Sequence, residues 1–264
     1  MSILQAIILG IIQGLTEFLP VSSSAHLHIV PFLLNWNIQS VSFDIVLHAG
    51  SLVAVLIALN KDIFSVLKSD IKLAKKRSFQ KIVTPKLVVA VIPAIIVGYI
   101  FKEQLNNNSE NILTTSIMLI LVGIILLFVD KIALNNKDQK LTDISLKDAL
   151  IIGVTQPLSF IRGVSRSGIT ISTAIFAGLS KEVAIKFSFL LSAILLIGGS
   201  ILSIMQLHSG FIPETIPVLL AGFVASFISS LFAIIFLLKL IKKDIFFYFG
   251  VYRIILGVIL LTLV

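Results

Sequence analysis

The chain has 264 residues, 57% hydrophobic and only 13% charged, about half the charge of an ordinary soluble domain, and its mean hydropathy is +1.09. It contains no cysteine, which excludes disulfides, thiolate zinc sites and thiol catalysis. The net charge of +8 raises nucleic acid as a partner, but the placement of those charges argues for a membrane instead.

Read in chain order, residues 3–12 are a short apolar run that enters the polar sequence Q-G-L-T-E-F-L-P-V-S-S-S-A-H, ending at His26. A second short apolar piece follows at 27–34. This predicts two half-helices meeting at a polar tip, a re-entrant hairpin that enters and leaves by one side. Full spans are predicted at 44–60, 83–101 and 112–129. A second hairpin is predicted from 148–154 and 169–179, followed by spans at 184–205, 215–238 and 246–264. Even the shortest of these reaches about 26 Å, close to the hydrocarbon thickness. Between the first two spans, Phe64, Leu67, Ile71 and Ala74 recur at helical spacing among lysines, which predicts a helix lying on the inner membrane surface. The sequence N-N-N-S at 106–109 reads as a short external loop. The N-terminus lacks the basic start and cleavage pattern of a signal peptide and is expected to belong to the mature protein.

Lys and Arg set the orientation. With the N-terminus outside, the inner loops hold eight basic residues at 61–86, four at 131–147, two at 181–186 and three at 239–243. The outer loops hold only Lys102. This is a one-sided positive-inside pattern, and it collapses if either hairpin crosses fully. The basic charge is thus expected to face anionic lipid, with no nucleic-acid partner. Arg162, Arg166 and Arg253 remain, all within hydrophobic segments. An arginine at mid-membrane costs roughly 2.5–3.5 kcal/mol on the insertion scale, so a cavity or a partner is expected for each. For Arg253 a carbonyl or an acid is the structural alternative, and for Arg162 it is a snorkel to the interface.

Residues 9–25 set over 152–168, an offset of 143, match at Gly10/Gly153, Gln13/Gln156, Leu15/Leu158, Val21/Val164, Ser22/Ser165 and Ser24/Ser167. Both copies fall in the predicted hairpins, and three spans lie between them, so the copies point in opposite directions. The expected fold is therefore an all-α polytopic membrane protein: six transmembrane helices plus two opposed re-entrant hairpins in an inverted repeat, a transporter-like architecture. One integral membrane domain spans 1–264, with repeat halves at about 1–130 and 144–264.

The two tips carry the chemistry. Gln13 and Glu17 share a helix face. Pro20 suits the first position of a new helix, whose N-terminus with Ser22, Ser23 and Ser24 suits an anion. His26 lies one turn beyond Ser23, where it could accept a serine proton. On the second tip Gly163 precedes Ser165, Arg166, Ser167 and Thr170, a glycine-flanked anion cradle with a guanidinium. A phosphate ester fits the set: Arg for its charge, Glu for a divalent cation, Ser as nucleophile and His as acid–base. The alternative for any one of these hydroxyls is a bond to its own helix. His48 reads equally as a supporting polar group or as packing, and Asp44 and Asp130 are expected at span ends facing water.

On Q-G-L-T-E, F-L-P-V-S-S-S-A-H, R-G-V-S-R-S-G-I-T, F-S-F-L-L-S at 187–192 and Y-R at 252–253, the chain resembles the undecaprenyl-diphosphatase family linked to bacitracin resistance in bacterial cell-wall synthesis. The resemblance implies a membrane hydrolase that converts undecaprenyl diphosphate to the monophosphate on the external face of the plasma membrane, with Mg²⁺ or Ca²⁺. It implies Glu17 and Gln13 at the metal or diphosphate, Ser23 as leading nucleophile, His26 as its acid–base and Arg166 as phosphate clamp. Ser165, Ser167 and Thr170 would be supporting donors. Ser22, Ser24, Arg162 and Arg253 complete the expected substrate contacts. Arg162 stands where the family usually has proline, and Gln13 where many members have an acid. A flippase for the same carrier lipid is the competing expectation, suggested by the inverted repeat. The acid-phosphatase superfamily is set aside, because no histidine follows Ser165-Arg166 at the spacing it needs. Lipid substrate and membrane lipids are the expected partners, and the sequence leaves a homodimer open.

Overall fold

The computed structural model describes residues 1–101, 111–133, 138–206, 214–241 and 243–263. The loop expected at 106–109, Lys102, Lys137, Lys242 and most of the connector at 206–214 lie outside them. Among the described residues the protein is all-helical, with eleven α-helices and no strand. They are α1 Ile3–Phe18, α2 Ser23–Leu33, α3 Val41–Ala58, α4 Asn60–Lys75, α5 Thr84–Ile100, α6 Ile112–Ile132, α7 Leu146–Thr155, α8 Arg166–Phe176, α9 Lys181–Gln206, α10 Ile216–Leu240 and α11 Ile245–Leu261.

The helices α3, α6, α9 and α10 are long and apolar enough to cross a membrane, while α5 and α11 are apolar at 17 residues each. Their outward faces carry exposed Leu, Ile, Val and Phe, as lipid requires. The chain is a multi-pass membrane protein. Helix α4 occupies the amphipathic segment, with Phe64, Leu67 and Ile71 exposed and Val66 and Asp70 packed inward. Asp70 caps α5, accepting from Val83 N at 2.9 Å and from Thr84 N at 2.8 Å.

The repeat reappears in the coordinates with the same offset. Helices α1 and α7 start at Ile3 and Leu146, and α2 and α8 cover Ser23–Leu33 and Arg166–Phe176. Even the first caps correspond: Ser2 forms a capping box with Gln5, and Ser145 forms one with Asp148. The first arm of each hairpin packs on the other half, α1 against α10 and α7 against α5, while α6 pairs with α11. Two glycines permit this. A Cβ on Gly10 would meet the Gly222 carbonyl oxygen at 2.6 Å, and one on Gly153 would meet that of Ala90 at 2.7 Å.

Several expectations change. Helix α1 extends past the apolar run 3–12 to Phe18, with Gln13 and Glu17 buried on the one helix face their spacing implies. Pro20 does not open α2. It lies in the turn before the cap Ser22. Asp130 does not face water. It is buried, ion-paired with Lys181 at 2.6 Å, and it accepts from Phe247 N at 2.9 Å, tying the ends of α6, α9 and α11. Lys86 is buried rather than set against headgroups, its Nζ donating to the Thr142 carbonyl at 3.0 Å. Lys186 bridges Asp62 and Glu182 at 3.0 Å each.

Candidate active site

The two hairpin tips meet inside the bundle. Glu17 occupies the last turn of α1, and its side chain is 5% exposed. Its Oε1 pairs with Arg166 Nη2, from the first turn of α8 on the opposite tip. Its Oε2 accepts from Ser23 Oγ at 2.7 Å and from Gln13 Nε2 at 3.0 Å. A carboxylate in an apolar bundle is stable only when its charge is matched and its lone pairs are used, and these three donors do that.

Both half-helices after the tips begin on a strained serine. Ser22 and Ser165, equivalent in the repeat, have φ of 77° and 72°, the left-handed region that serine seldom enters. Backbone of this kind persists where the surroundings over-determine it, commonly at functional sites. The turn at each cap directs the next side chain, Ser23 on one tip and Arg166 on the other, toward Glu17. The cradle is therefore asymmetric: one tip supplies acid and hydroxyl, and the other supplies the cation.

Arg253 behaves differently from the expectation that it contacts substrate. It is fully buried, and its guanidinium donates to the carbonyls of Pro20 at 3.0 Å, Val164 at 3.1 Å and Gly163. Weaker bonds reach Leu119 and Met118. Its donors are spent on backbone, so Arg253 clamps the two tips together. Ser167 adds to the clamp by donating to the Leu19 carbonyl at 3.1 Å.

Thr170 is also turned inward. It donates to the Arg166 carbonyl at 2.7 Å and bonds Ser188 at 2.6 Å. Ser165 Oγ accepts from Gly168 N at 3.1 Å, and it bonds Ser167 Oγ at the same distance. These three hydroxyls shape the cradle rather than line its open side, because each is buried and already bonded. Ser22 Oγ is buried 3.3 Å from Ser24 Oγ, and Ser24 itself is exposed.

His26 does not bond Ser23. Its Nδ1 lies 2.8 Å from the Ser22 carbonyl, and its Nε2 lies 2.6 Å from Tyr252 Oη. A carbonyl only accepts, so Nδ1 carries the proton and the Tyr252 hydroxyl donates to Nε2 of the neutral ring. Tyr252 is thus a site residue whose only sequence signal is the Y-R dipeptide. His48 faces the same carboxylate, with Nε2 4.0 Å from Glu17 Oε2. Asp44, expected to face water, has a buried Oδ1 and lies in electrostatic reach of His48, Arg162 and Glu214.

The residues around Glu17 fit a divalent cation of modest demands. Among the described residues no three His, Asp or Glu side chains converge. Gln13, however, is fully buried beside Glu17, and its Oε1 has no hydrogen-bond partner. A carboxylate and an amide oxygen suit Mg²⁺ or Ca²⁺ that takes its remaining ligands from water and substrate phosphates.

The family model described as bacitracin resistance protein BacA matches residues 6–259. A protein of Caldicellulosiruptor bescii named undecaprenyl-diphosphatase is 39% identical over 263 residues, covering 99% of this chain and 97% of the relative. One of the same name from Moorella thermoacetica is 35% identical, covering 99% and 98%. Undecaprenyl-diphosphatase 1 of Shouchella clausii is 35% identical, covering 98% and 95%. With a match that runs almost from end to end, the chain belongs to the bacitracin resistance protein BacA family.

Proposed function

We propose that the protein is an integral-membrane undecaprenyl-diphosphatase, hydrolysing undecaprenyl diphosphate to undecaprenyl phosphate and inorganic phosphate. The names of its relatives support the activity. The observation that carries the chemistry is Glu17 holding Ser23 at 2.7 Å while pairing with Arg166.

In this reading Arg166 holds the terminal phosphate. Ser23 Oγ attacks that phosphorus and gives its proton to Glu17 Oε2. The Oγ–P bond forms as the anhydride P–O bond breaks, and undecaprenyl phosphate leaves. Water then displaces Oγ from phosphorus, and Glu17 returns the proton to Ser23. His26 takes the proton of that water, which requires Nε2 to exchange Tyr252 for the water. Gln13 and Glu17 would hold Mg²⁺ or Ca²⁺, and when bound it supplies neutralising charge to the phosphates. Arg253, Ser165, Ser167 and Thr170 keep the tips in register, while Ser22, Ser24 and Arg162 flank the phosphate path.

The one-sided basic loops support a bacterial plasma-membrane location, with both termini outside and the site opening to the external face. There the reaction would recycle the lipid carrier for peptidoglycan synthesis and oppose bacitracin. A second reading, a flippase for the same lipid, draws on the opposed hairpins of the inverted repeat. Phosphate release from a C55 isoprenyl diphosphate by purified protein, with and without EDTA, separates the two. EDTA-sensitive release supports the hydrolase, and lipid translocation with no release supports the flippase.

A further inference from the structure

Helix α3 brings a group to the site that the mechanism above leaves unused. His48 Nδ1 lies 2.7 Å from the carbonyl of Asp44, one turn earlier on the same helix. The carbonyl can only accept, so Nδ1 carries a proton, and in the neutral ring Nε2 is the atom left with a lone pair. It points at Glu17: Nε2 stands 4.0 Å from Oε2. Oε2 already accepts from Ser23 and Gln13, and either a proton on Nε2, which makes an ion pair, or a bound cation would make the approach of His48 favourable. The gap is about what one ion fills when it is held roughly 2.0–2.2 Å from a nitrogen and an oxygen.

Two further features fit an ion. Metal-binding histidines commonly fix their other N–H on a backbone carbonyl or carboxylate, which sets tautomer and ring orientation. In addition, the buried Gln13 Oε1 has no hydrogen-bond partner, although the Nε2 of the same amide bonds Glu17 Oε2. His48 is also accessible. Its side chain is 36% exposed against 5% for Glu17, so it stands at the entrance to the buried carboxylate.

We propose that His48 Nε2 is a ligand of the site's divalent cation, completing with Glu17 and Gln13 Oε1 a mixed nitrogen–oxygen site whose other positions go to water and phosphate. The inference rests on the hydrolase reading for the presence of a cation, but it concerns binding alone. A nitrogen donor makes the site less suited to Ca²⁺, which takes oxygen ligands, and Mn²⁺, which suits the carboxylate, carbonyl and water positions of the set, serves as its probe.

Mn²⁺ alone, added to full-length protein purified in detergent, tests it by pulsed EPR with no lipid substrate present. The expected result is a directly coordinated ¹⁴N signal in the wild type. His48→Ala should lose the signal and bind Mn²⁺ about tenfold more weakly, and His26→Ala should keep it. The wild-type spectrum tests for a nitrogen ligand, and His48→Gln, which keeps a polar side chain, should lose the signal as well and tests the assignment if His48→Ala folds poorly. Bound Mn²⁺ without nitrogen coupling, no bound Mn²⁺, or a signal lost in His26→Ala but kept in His48→Ala would each overturn the assignment. Nitrogen-coordinated Mn²⁺ in a protein that releases no phosphate would defeat the hydrolase reading and leave this one standing.

Discussion

Glu17 and Arg166 form an ion pair across two hairpin tips although they lie 149 positions apart in the chain. Neither side chain is tolerable alone at that depth. The acid needs the guanidinium to remain charged, and the guanidinium needs the acid until an anion arrives. Under the proposed function the pair would link folding to chemistry: the guanidinium that stabilises Glu17 is the one that would meet a phosphate.

Arg166→Ala should therefore lose phosphate release by at least about a hundredfold, of the order seen on removing a positioned charge from a reacting group. It should also destabilise the protein by about 3–5 kcal/mol, because it strands a buried carboxylate. The double variant Glu17→Gln with Arg166→Ala should recover thermal stability but not activity. Thermal unfolding in detergent and phosphate release check the two halves separately.

Arg253 is predicted to fail differently. Its bonds go to the carbonyls of Pro20, Gly163 and Val164, so Arg253→Met should lower the unfolding temperature and loosen both tips. A raised KM with unchanged thermal stability would instead place it on the substrate.

The glycines at the repeat seams give a symmetric prediction. Gly10→Ala and Gly153→Ala each push a methyl into a facing carbonyl, at 2.6 and 2.7 Å. Both should cost about 1–3 kcal/mol by overpacking. Paired unfolding curves would show whether the two halves respond alike.

Orientation can be read with reporter fusions. Alkaline phosphatase fused after residue 75 should be inactive, and after residue 38 it should be active. The reverse pattern would invert the topology.

The spans were legible because lipid forces long apolar runs and confines lysines to one side. The hairpins were legible because short apolar pieces meet at polar tips, and the repeat at one offset, Ser22 over Ser165, falls on both. What escaped was whatever bonds to backbone or to a distant partner. For Arg253 the sequence left substrate and a carbonyl both open, and only the meeting of the two tips around it shows the carbonyls. Asp130 meets Lys181 across two helices. The His26–Tyr252 pair was hidden for the same reason, its members lying 226 positions apart. His48 was visible only as a polar residue in a span, and its meaning came from the carboxylate it faces.

The central claim is that Ser23, held by Glu17, is the group that attacks phosphorus. Phosphate release from C55 isoprenyl diphosphate by purified wild type, Ser23→Ala and Glu17→Gln tests it most directly. The account predicts release by the wild type and loss of at least a hundredfold, by about the same factor, in both variants. Undiminished release from Ser23→Ala would contradict it.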